Sequence, residues 1–537
     1  MFYSRAPLFV LFLFFFSFTS AQSYWKSQWV TLQANVKTLK TDEGRRWIVD
    51  IDLFKKALSP KEKTTIFLPH PNGELISFDL KEEKVMAKEL ADKYPNIRAF
   101  SGQASSNKQQ SIRLELNSQQ IFAVVKKGGE EWYVEPDPNN DSFIISYDAQ
   151  NRIIPEASSV QCETKEKSIE DVIRAQENAL SFGSSLRYAK VTLKKYRFAL
   201  SCTAEYAKAK GGTIESVLTS FVTSVNRMNQ ILLREAAVQL ELIAKNDSLI
   251  FFDAEKDPFP EPSNLTQLLN QNGAVINSIV GANSYDIGHI FTSGCSGGVV
   301  GIATLGNVCS SGKARGVTCH YSSNLLSITL NVFAHELGHQ FSCAHTFNSC
   351  AGNQDNVAPS EGFEPGGGST IMSYASACGA DNYQFSVDDY FHGGSLDDFI
   401  PFVQTGSGAG CGINIPTPND VPELTLAYKN GFSIPISTPF KLEAAATDAD
   451  NDKLTYNWEQ MDSGPTTPLG EPKNNSPLFR SFPAREESFR VFPQMPGLLA
   501  GSASRVEILP NYARNLSFRC TVRDNNPQGG AVIWKDV

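Results

Sequence analysis

Three histidines and a glutamate stand within eleven residues, His335-Glu336-Leu337-Gly338-His339-Gln340-Phe341-Ser342-Cys343-Ala344-His345. On a helix a four-residue step puts two side chains on one face, so His335 and His339 can offer ring nitrogens to a single metal ion. Glu336 then lies beside that metal, placed to hydrogen-bond a water rather than to ligate. His345 lies six residues beyond His339. A straight helix would carry it away, so the chain must turn after about Phe341 to bring a third imidazole back. Three neutral imidazoles with an open fourth position suit zinc, which can lower the pKa of bound water to about 7. Glu336 would accept that water's proton and pass it to a leaving amine, the chemistry of amide hydrolysis. Solitary helical histidines are usually structural, but here three of the chain's seven histidines fall at ligand spacing. A downstream glutamate could replace His345 in such a site. Glu361 and Glu364 are near enough, yet their setting is too rich in Gly and Pro for the helix such a ligand rides on.

A helix must carry the motif, and Ala334, Leu337 and Phe341, with Leu330, supply its apolar stripe. Upstream, Ile214, Val217, Leu218, Phe221, Val225, Met228 and Leu232 recur at helical steps and predict a helix over 213–234. Arg197-Phe198-Ala199-Leu200, alternating Val238, Leu240 and Leu242, and alternating Tyr285, Ile287, His289 and Phe291 predict strands. Asn264 is a good cap for a helix carrying Leu265, Leu268 and Leu269. Strands alternating with helices over residues 191–411 imply an α/β sheet. A Gly-rich passage around Val299–Ala303 suits close approach of another backbone.

The whole chain of 537 residues exceeds one ordinary domain. Its ordinary hydrophobic and charged fractions argue against disorder. A net charge of −9 without a basic run argues against nucleic-acid partners. Arg5, the apolar run Leu8–Phe16 and the small residues Thr19-Ser20-Ala21 read as a signal peptide over 1–21, too short to span a membrane, so export is expected with no membrane span after cleavage. Residues 22–190 read as a first, β-rich unit, with strands at Ile66–Pro69, Ser111–Leu116 and Gln120–Val125. A polar stretch from Glu163 to about Arg187 reads as an exposed helix or linker, and Lys194-Lys195 as a processing point. Pro416, Pro418 and Pro422 mark a linker over 412–422. Residues 423–537 read as all-β and resemble an immunoglobulin-like sandwich. Asp448, Asp450 and Asp452 offer oxygens that suit calcium, or a solvated turn.

Beyond the zinc motif, Ser369-Thr370-Ile371-Met372-Ser373-Tyr374 resembles the methionine turn of the metzincin zinc endopeptidases. Tyr285–Phe291, Gly301-Ile302-Ala303, Lys313–Thr318 and His345-Thr346-Phe347-Asn348 carry a closer likeness to reprolysin-like peptidases of secreted bacterial proteins. The resemblance covers about 190–411. It implies a twisted sheet with helices, a cleft with zinc at its floor, and protein or peptide substrates. Met372 would pack beneath the metal, and Tyr374 would join the metal, stabilise the tetrahedral intermediate or simply pack there. Gly301, Ile302 and Ala303 would form the edge strand that pairs with substrate. The chain departs from the pattern at Ser342, where the family has Gly in a left-handed turn.

Ten cysteines suit an oxidising compartment. Eight fall in the catalytic segment and could form four disulfides, one of them Cys350 with Cys378. Cys343 reads as a disulfide partner or buried thiol, with a metal thiolate as the other option. The first unit is expected to be a propeptide, and a free Cys162 thiolate could fill the open zinc position, unless Cys162 pairs with Cys520. The leading expectation is a secreted zinc endopeptidase made as a zymogen. The competing ones are a surface adhesion protein on an inactive scaffold, and an exopeptidase. An intact Glu336 separates the first from the second.

Overall fold

The computed structural model describes residues 25–28, 44–58, 64–107, 110–127, 130–137, 140, 143–149, 161–162, 164, 190–295, 299–320, 326–358, 360–428, 431–501 and 504–537. The expected signal peptide and the polar stretch between Glu163 and Arg187, Thr164 apart, lie outside these residues.

The sheet that positions the site is built from β1 (Gln161–Cys162), β2 (Lys190–Cys202), β3 (Val238–Leu242), β4 (Ile287–Ser293), β5 (Val299–Ala303), β6 (Gly316–His320) and β7 (Ile413–Asp420). Their order is β1-β5-β6-β4-β2-β3, with β7 paired to β2. Strands β6, β4, β2 and β3 are mutually parallel; β5 is antiparallel to β6, and β1 runs parallel to β5. Helix α1 (Ile214–Ala236) begins at a capping box, where Thr213 accepts from the Ser216 amide. It buries Val217, Leu218, Phe221, Val225, Met228 and Leu232, and ends at left-handed Ala237 directly before β3. Helix α2 (Leu265–Val280) is capped by Asn264 as its sequence predicts. Helix α3 (Leu326–Gln340) carries the first two histidines, and α4 (Gly393–Gln404) packs Phe399 on Phe341.

A nine-stranded antiparallel sheet precedes these elements, running from Trp25–Gln28 at one edge to Thr64–Pro69 at the other. It has its own core around Trp47, Phe54, Phe78, Leu114 and Trp132. Two three-stranded antiparallel sheets follow after residue 423 and share a core of Leu442, Trp458, Phe479, Phe492 and Phe518. One further apolar cluster joins all three regions: Val85, Leu90 and Ile97 meet Phe198, Phe221 and Leu337, which meet Val532 and Trp534.

The proline-marked segment 412–422 is mostly strand, not linker. Ile413–Asp420 pairs antiparallel with Lys190–Lys195, and the Thr417 hydroxyl donates to the Val191 carbonyl (2.7 Å). Proline is tolerated on a strand at a sheet margin, where a missing N–H costs little. Lys194 and Lys195 sit inside β2, paired to β7 on one side and β3 on the other, and Lys194 is buried. That places the dibasic pair where a processing enzyme cannot reach an extended backbone. Among the described residues three disulfides form, Cys295–Cys319, Cys309–Cys411 and Cys350–Cys378. Cys162, Cys202, Cys343 and Cys520 are buried thiols, so neither a fourth internal pair nor Cys162–Cys520 is present.

Candidate metal centre

Helix α3 lies flush on the methionine turn because residue 338 has no side chain. A Cβ there would stand 2.4 Å from the Met372 sulfur. Met372 is fully buried beneath the helix. The chain then leaves the helix through Ser342, which adopts the left-handed region at φ 82°. The Ser342 and Cys343 amides bond back to the His339 and Gly338 carbonyls (2.8 and 3.0 Å). The reversal therefore forms without glycine and returns His345 to the helix face.

The three imidazoles meet. The Nε2 atoms of His335 and His339 are 3.1 Å apart, those of His335 and His345 3.1 Å, and those of His339 and His345 3.2 Å. His335 Nδ1 faces the Ile371 carbonyl (2.9 Å) and His339 Nδ1 the Cys343 carbonyl (2.8 Å). A ring nitrogen beside a carbonyl must carry the proton, which leaves Nε2 as a bare lone pair. Lone pairs turned on one another at this distance repel unless a cation lies between them. Zinc bound tetrahedrally at 2.0–2.1 Å would hold its nitrogens roughly 3.3 Å apart, so the donor set fits that ion. Burial, and then the neighbouring His345, push His335 down to about 3, keeping it neutral as a ligand must be.

Glu336 is buried beside this trio, and burial pushes its carboxyl up to about 8. A bound dication would pull it back down. Its neighbour across the cleft is Gly301 on β5, where a Cβ would lie 2.1 Å from Glu336 Oε1. Gly301, Ile302 and Ala303 pair with β6 on one side. On the other side they meet the short β1, with Cys162 opposite Gly301.

Cys162 completes the cluster. Its sulfur and one nitrogen from each imidazole all lie within 4.8 Å of one another. The sulfur is also 3.4 Å from Glu336 Oε2. Tyr374 holds the Cys162 backbone twice, its hydroxyl accepting from the amide (3.0 Å) and donating to the carbonyl (2.8 Å). The same tyrosine stacks on Phe347 and stands edge-on to His345. Two helpers went unread in the sequence. Thr164 Oγ1 bonds both the amide and the carbonyl of Ala303 (3.0 and 3.1 Å), and Asn356 donates to the Cys162 carbonyl (3.1 Å). The Cys162 sulfur also donates to Thr164 Oγ1 (3.0 Å), two residues on, and this adjacency in sequence was the available signal for Thr164.

Other candidates sit elsewhere. Cys343 is buried against the Ser395 carbonyl (3.5 Å) and is not among the clustered donors. His289 is a strand residue between Gln340 and Thr318 (2.9 and 2.8 Å), pushed down to about 4 by burial. Neither Glu361 nor Glu364 joins the donor cluster. Asp448 and Asp452 converge with Asp524 rather than with Asp450, whose carboxylate accepts from the Asp420 amide.

Residues 192–386 match the family model of reprolysin-type metallo-peptidases, family M12. Among solved structures, the chain is similar to metalloproteinase-II from Bacteroides fragilis at 12% identity and a TM-score of 0.37, over 66% of this chain and 95% of that one. No curated protein sequence matches the chain.

Proposed function

Because residues 192–386 carry a metallopeptidase domain of family M12, we propose that the chain is a secreted zinc endopeptidase made in a latent form. The observation that carries this is the convergence of three imidazole Nε2 atoms within 3.2 Å of one another next to a buried glutamate. Zinc held by His335, His339 and His345 would supply a Lewis acid that polarises the scissile carbonyl and acidifies water. Glu336 accepts the proton of the attacking water and returns it to the departing amine, its carboxylate standing 3.4 Å from the Cys162 sulfur that clusters with the trio. Gly301, Ile302 and Ala303 receive an extended peptide as an added strand, in the place β1 takes in the uncut chain. Tyr374 hydroxyl, once Cys162 has left, is turned toward the same cleft and stabilises the tetrahedral oxyanion.

Residues 22–190 act as the propeptide, with the Cys162 thiol clustered with the three imidazoles, where it would compete with water for a bound zinc. Residues 423–537 form a β-sandwich module. Three disulfides among the described residues favour an oxidising compartment, in line with export by the segment 1–21.

The test is Glu336→Ala in the processed protein. Zinc content by elemental analysis stays at one equivalent, while cleavage of a denatured protein substrate falls by about 10²–10⁴-fold. A variant that cleaves at the parent rate, or a parent that holds no zinc, ends this reading.

A further inference from the structure

Glu364 stands at the junction of the two segments that frame the three-histidine cluster, and its chemistry there is not that of a metal donor. The side chain is fully buried. One carboxylate oxygen accepts from the Thr346 and Thr370 hydroxyls, each at 2.6 Å. The other accepts from the Ser369 amide (2.8 Å), the Thr370 amide (3.2 Å) and the Ser369 hydroxyl (3.3 Å). All five donors are hydroxyls or main-chain amides, a set that can satisfy a buried carboxylate without a cation.

These donors belong to two stretches of consequence. Thr346 follows His345 directly. Ser369 and Thr370 lead into Ile371, whose carbonyl fixes the His335 ring, and Met372, whose carbonyl accepts from the Thr346 amide (3.1 Å). The Glu364 main chain adds to the same junction, its amide bonding the Thr346 carbonyl and its carbonyl receiving the Asn348 amide (both 2.9 Å). A negative charge placed between two loops that carry no helix or strand of their own fixes their separation more tightly than neutral bonds would.

We propose that Glu364 is a positioning residue for the metal centre: its carboxylate clamps the His345 segment to the methionine turn and so sets where the third imidazole and the His335 carbonyl partner stand. This rests on the three histidines being the zinc ligands. Partners that orient first ligands typically change metal affinity by 10–100-fold when removed.

The experiment uses the full chain and reads zinc affinity by chelator competition, the visible spectrum of the cobalt-substituted protein, and the unfolding midpoint of the metal-free protein. Glu364→Gln removes the charge: its oxygen can keep the Ser369 and Thr370 amides, but its NH₂ replaces the oxygen that accepts from the Thr346 and Thr370 hydroxyls, so both charge-assisted bonds to the two loops are lost and the hydroxyls must turn to accept. Zinc affinity is expected to fall by about 10–100-fold and the cobalt bands to shift. Thr346→Val keeps the side-chain shape and removes one donor, and should weaken zinc binding several-fold in the same direction. The proposal is overturned if both variants bind zinc as the parent does with an unchanged cobalt spectrum. It is also overturned if the metal-free midpoint drops while affinity and spectrum hold, since that marks a purely structural residue. A parent chain that binds no zinc would instead remove the underlying metal reading.

Discussion

Two buried glutamate–arginine pairs fasten the flanking regions to the metallopeptidase segment, and they are built differently. At the N-terminal seam, Glu115 faces Arg227 of α1 at 3.6 Å, and among the described residues no hydrogen bond reaches the Arg227 guanidinium. Burial pushes Glu115 up to about 7, against the pull of Arg227 and of the Asn226 amide. At the C-terminal seam, Arg523 donates to both oxygens of Glu235 (2.7–3.1 Å), and Arg234 adds a second partner at 2.7 Å. Burial alone would raise Glu235, but Arg523 and Arg234 overcome it and hold the carboxyl below its ordinary value. A second arginine repeats the pattern, with Arg519 joined to Asp397 (2.6 Å) and Asp536 (2.7 Å). Desolvated charges stabilise only when geometry and hydrogen bonds compensate them. The C-terminal pair meets that condition directly, whereas at the N-terminal pair Glu115 is compensated by Asn226 (2.6 Å) and Arg227, among the described residues, by no hydrogen bond. The N-terminal unit is held along α1, where Asn226 bonds Glu115 (2.6 Å) and Arg113 (3.1 Å), Asn117 bonds Thr219 (3.1 Å) and Glu215 accepts from the Ser118 amide (2.8 Å), and at its ends, where Cys162 enters the cluster and where Val85 and Ala87 bond the two sides of Leu242 at the far sheet edge (both 2.8 Å). One seam is closed by buried charge pairs in direct contact, and the other by dispersed hydrogen bonds along α1 that each have a neutral member.

The largest effect expected from this difference is at Arg523. Arg523→Ala leaves Glu235 buried with one neighbour fewer and should cost about 3–5 kcal/mol in denaturant unfolding. A loss below about 1 kcal/mol would erase the contrast. Next comes pH. Glu115 has a folded pKa near 7, above its ordinary 4.5, so its contribution is full below about 4.5 and is lost as pH rises through 7. The N-terminal sheet should loosen between pH 5 and 8 by up to about 3 kcal/mol, seen as faster amide exchange in Ser111–Leu116. Glu235 is shifted the other way, so its contribution is present at neutral pH and lost as pH falls below the ordinary carboxylate range. Opposite slopes at the two seams sharpen the comparison; parallel slopes break it. At the metal end, Cys162→Ala should raise peptide cleavage by the uncut chain at least tenfold, the equivalent of ~1.4 kcal/mol. Unchanged latency would mean that the thiol is not what closes the site.

What the sequence made legible was local. The four-residue histidine step, the α1 periodicity and the Asn264 cap are each decided within a turn or two of chain, and the structure keeps them within a few residues. The return of His345 was also readable, because only a reversal could bring it back. The seams were not readable, since the partners of Glu235 and Arg523 are 288 positions apart and nothing local marks either. Pro416 and Pro418 misled for a related reason. Proline reports what a segment cannot donate, and the pairing of β7 with β2 depends on a neighbour more than 200 residues away. Glu364 was weighed as a metal donor from its distance along the chain. Its actual work with Thr346, Ser369 and Thr370 depends on how two irregular loops pack.

The smallest expected effect is the most discriminating. Removing Glu115 leaves Arg227 facing Glu135 (3.7 Å), while removing Arg227 takes the cation from both glutamates, so single variants there confound pairing with desolvation. The double variant Glu115→Gln with Arg227→Met removes both charges at once. With the two single variants it gives a coupling energy, expected below about 0.5 kcal/mol, because no hydrogen bond links the groups. The matching cycle at Glu235 and Arg523 should lie at the upper end, about 2–3 kcal/mol, because three hydrogen bonds link those groups. If the N-terminal coupling equalled the C-terminal one, the 3.6 Å gap would be carrying as much energy as a bidentate contact. The two seams would then be equally strong, and cleavage of the chain alone would not free the metal site.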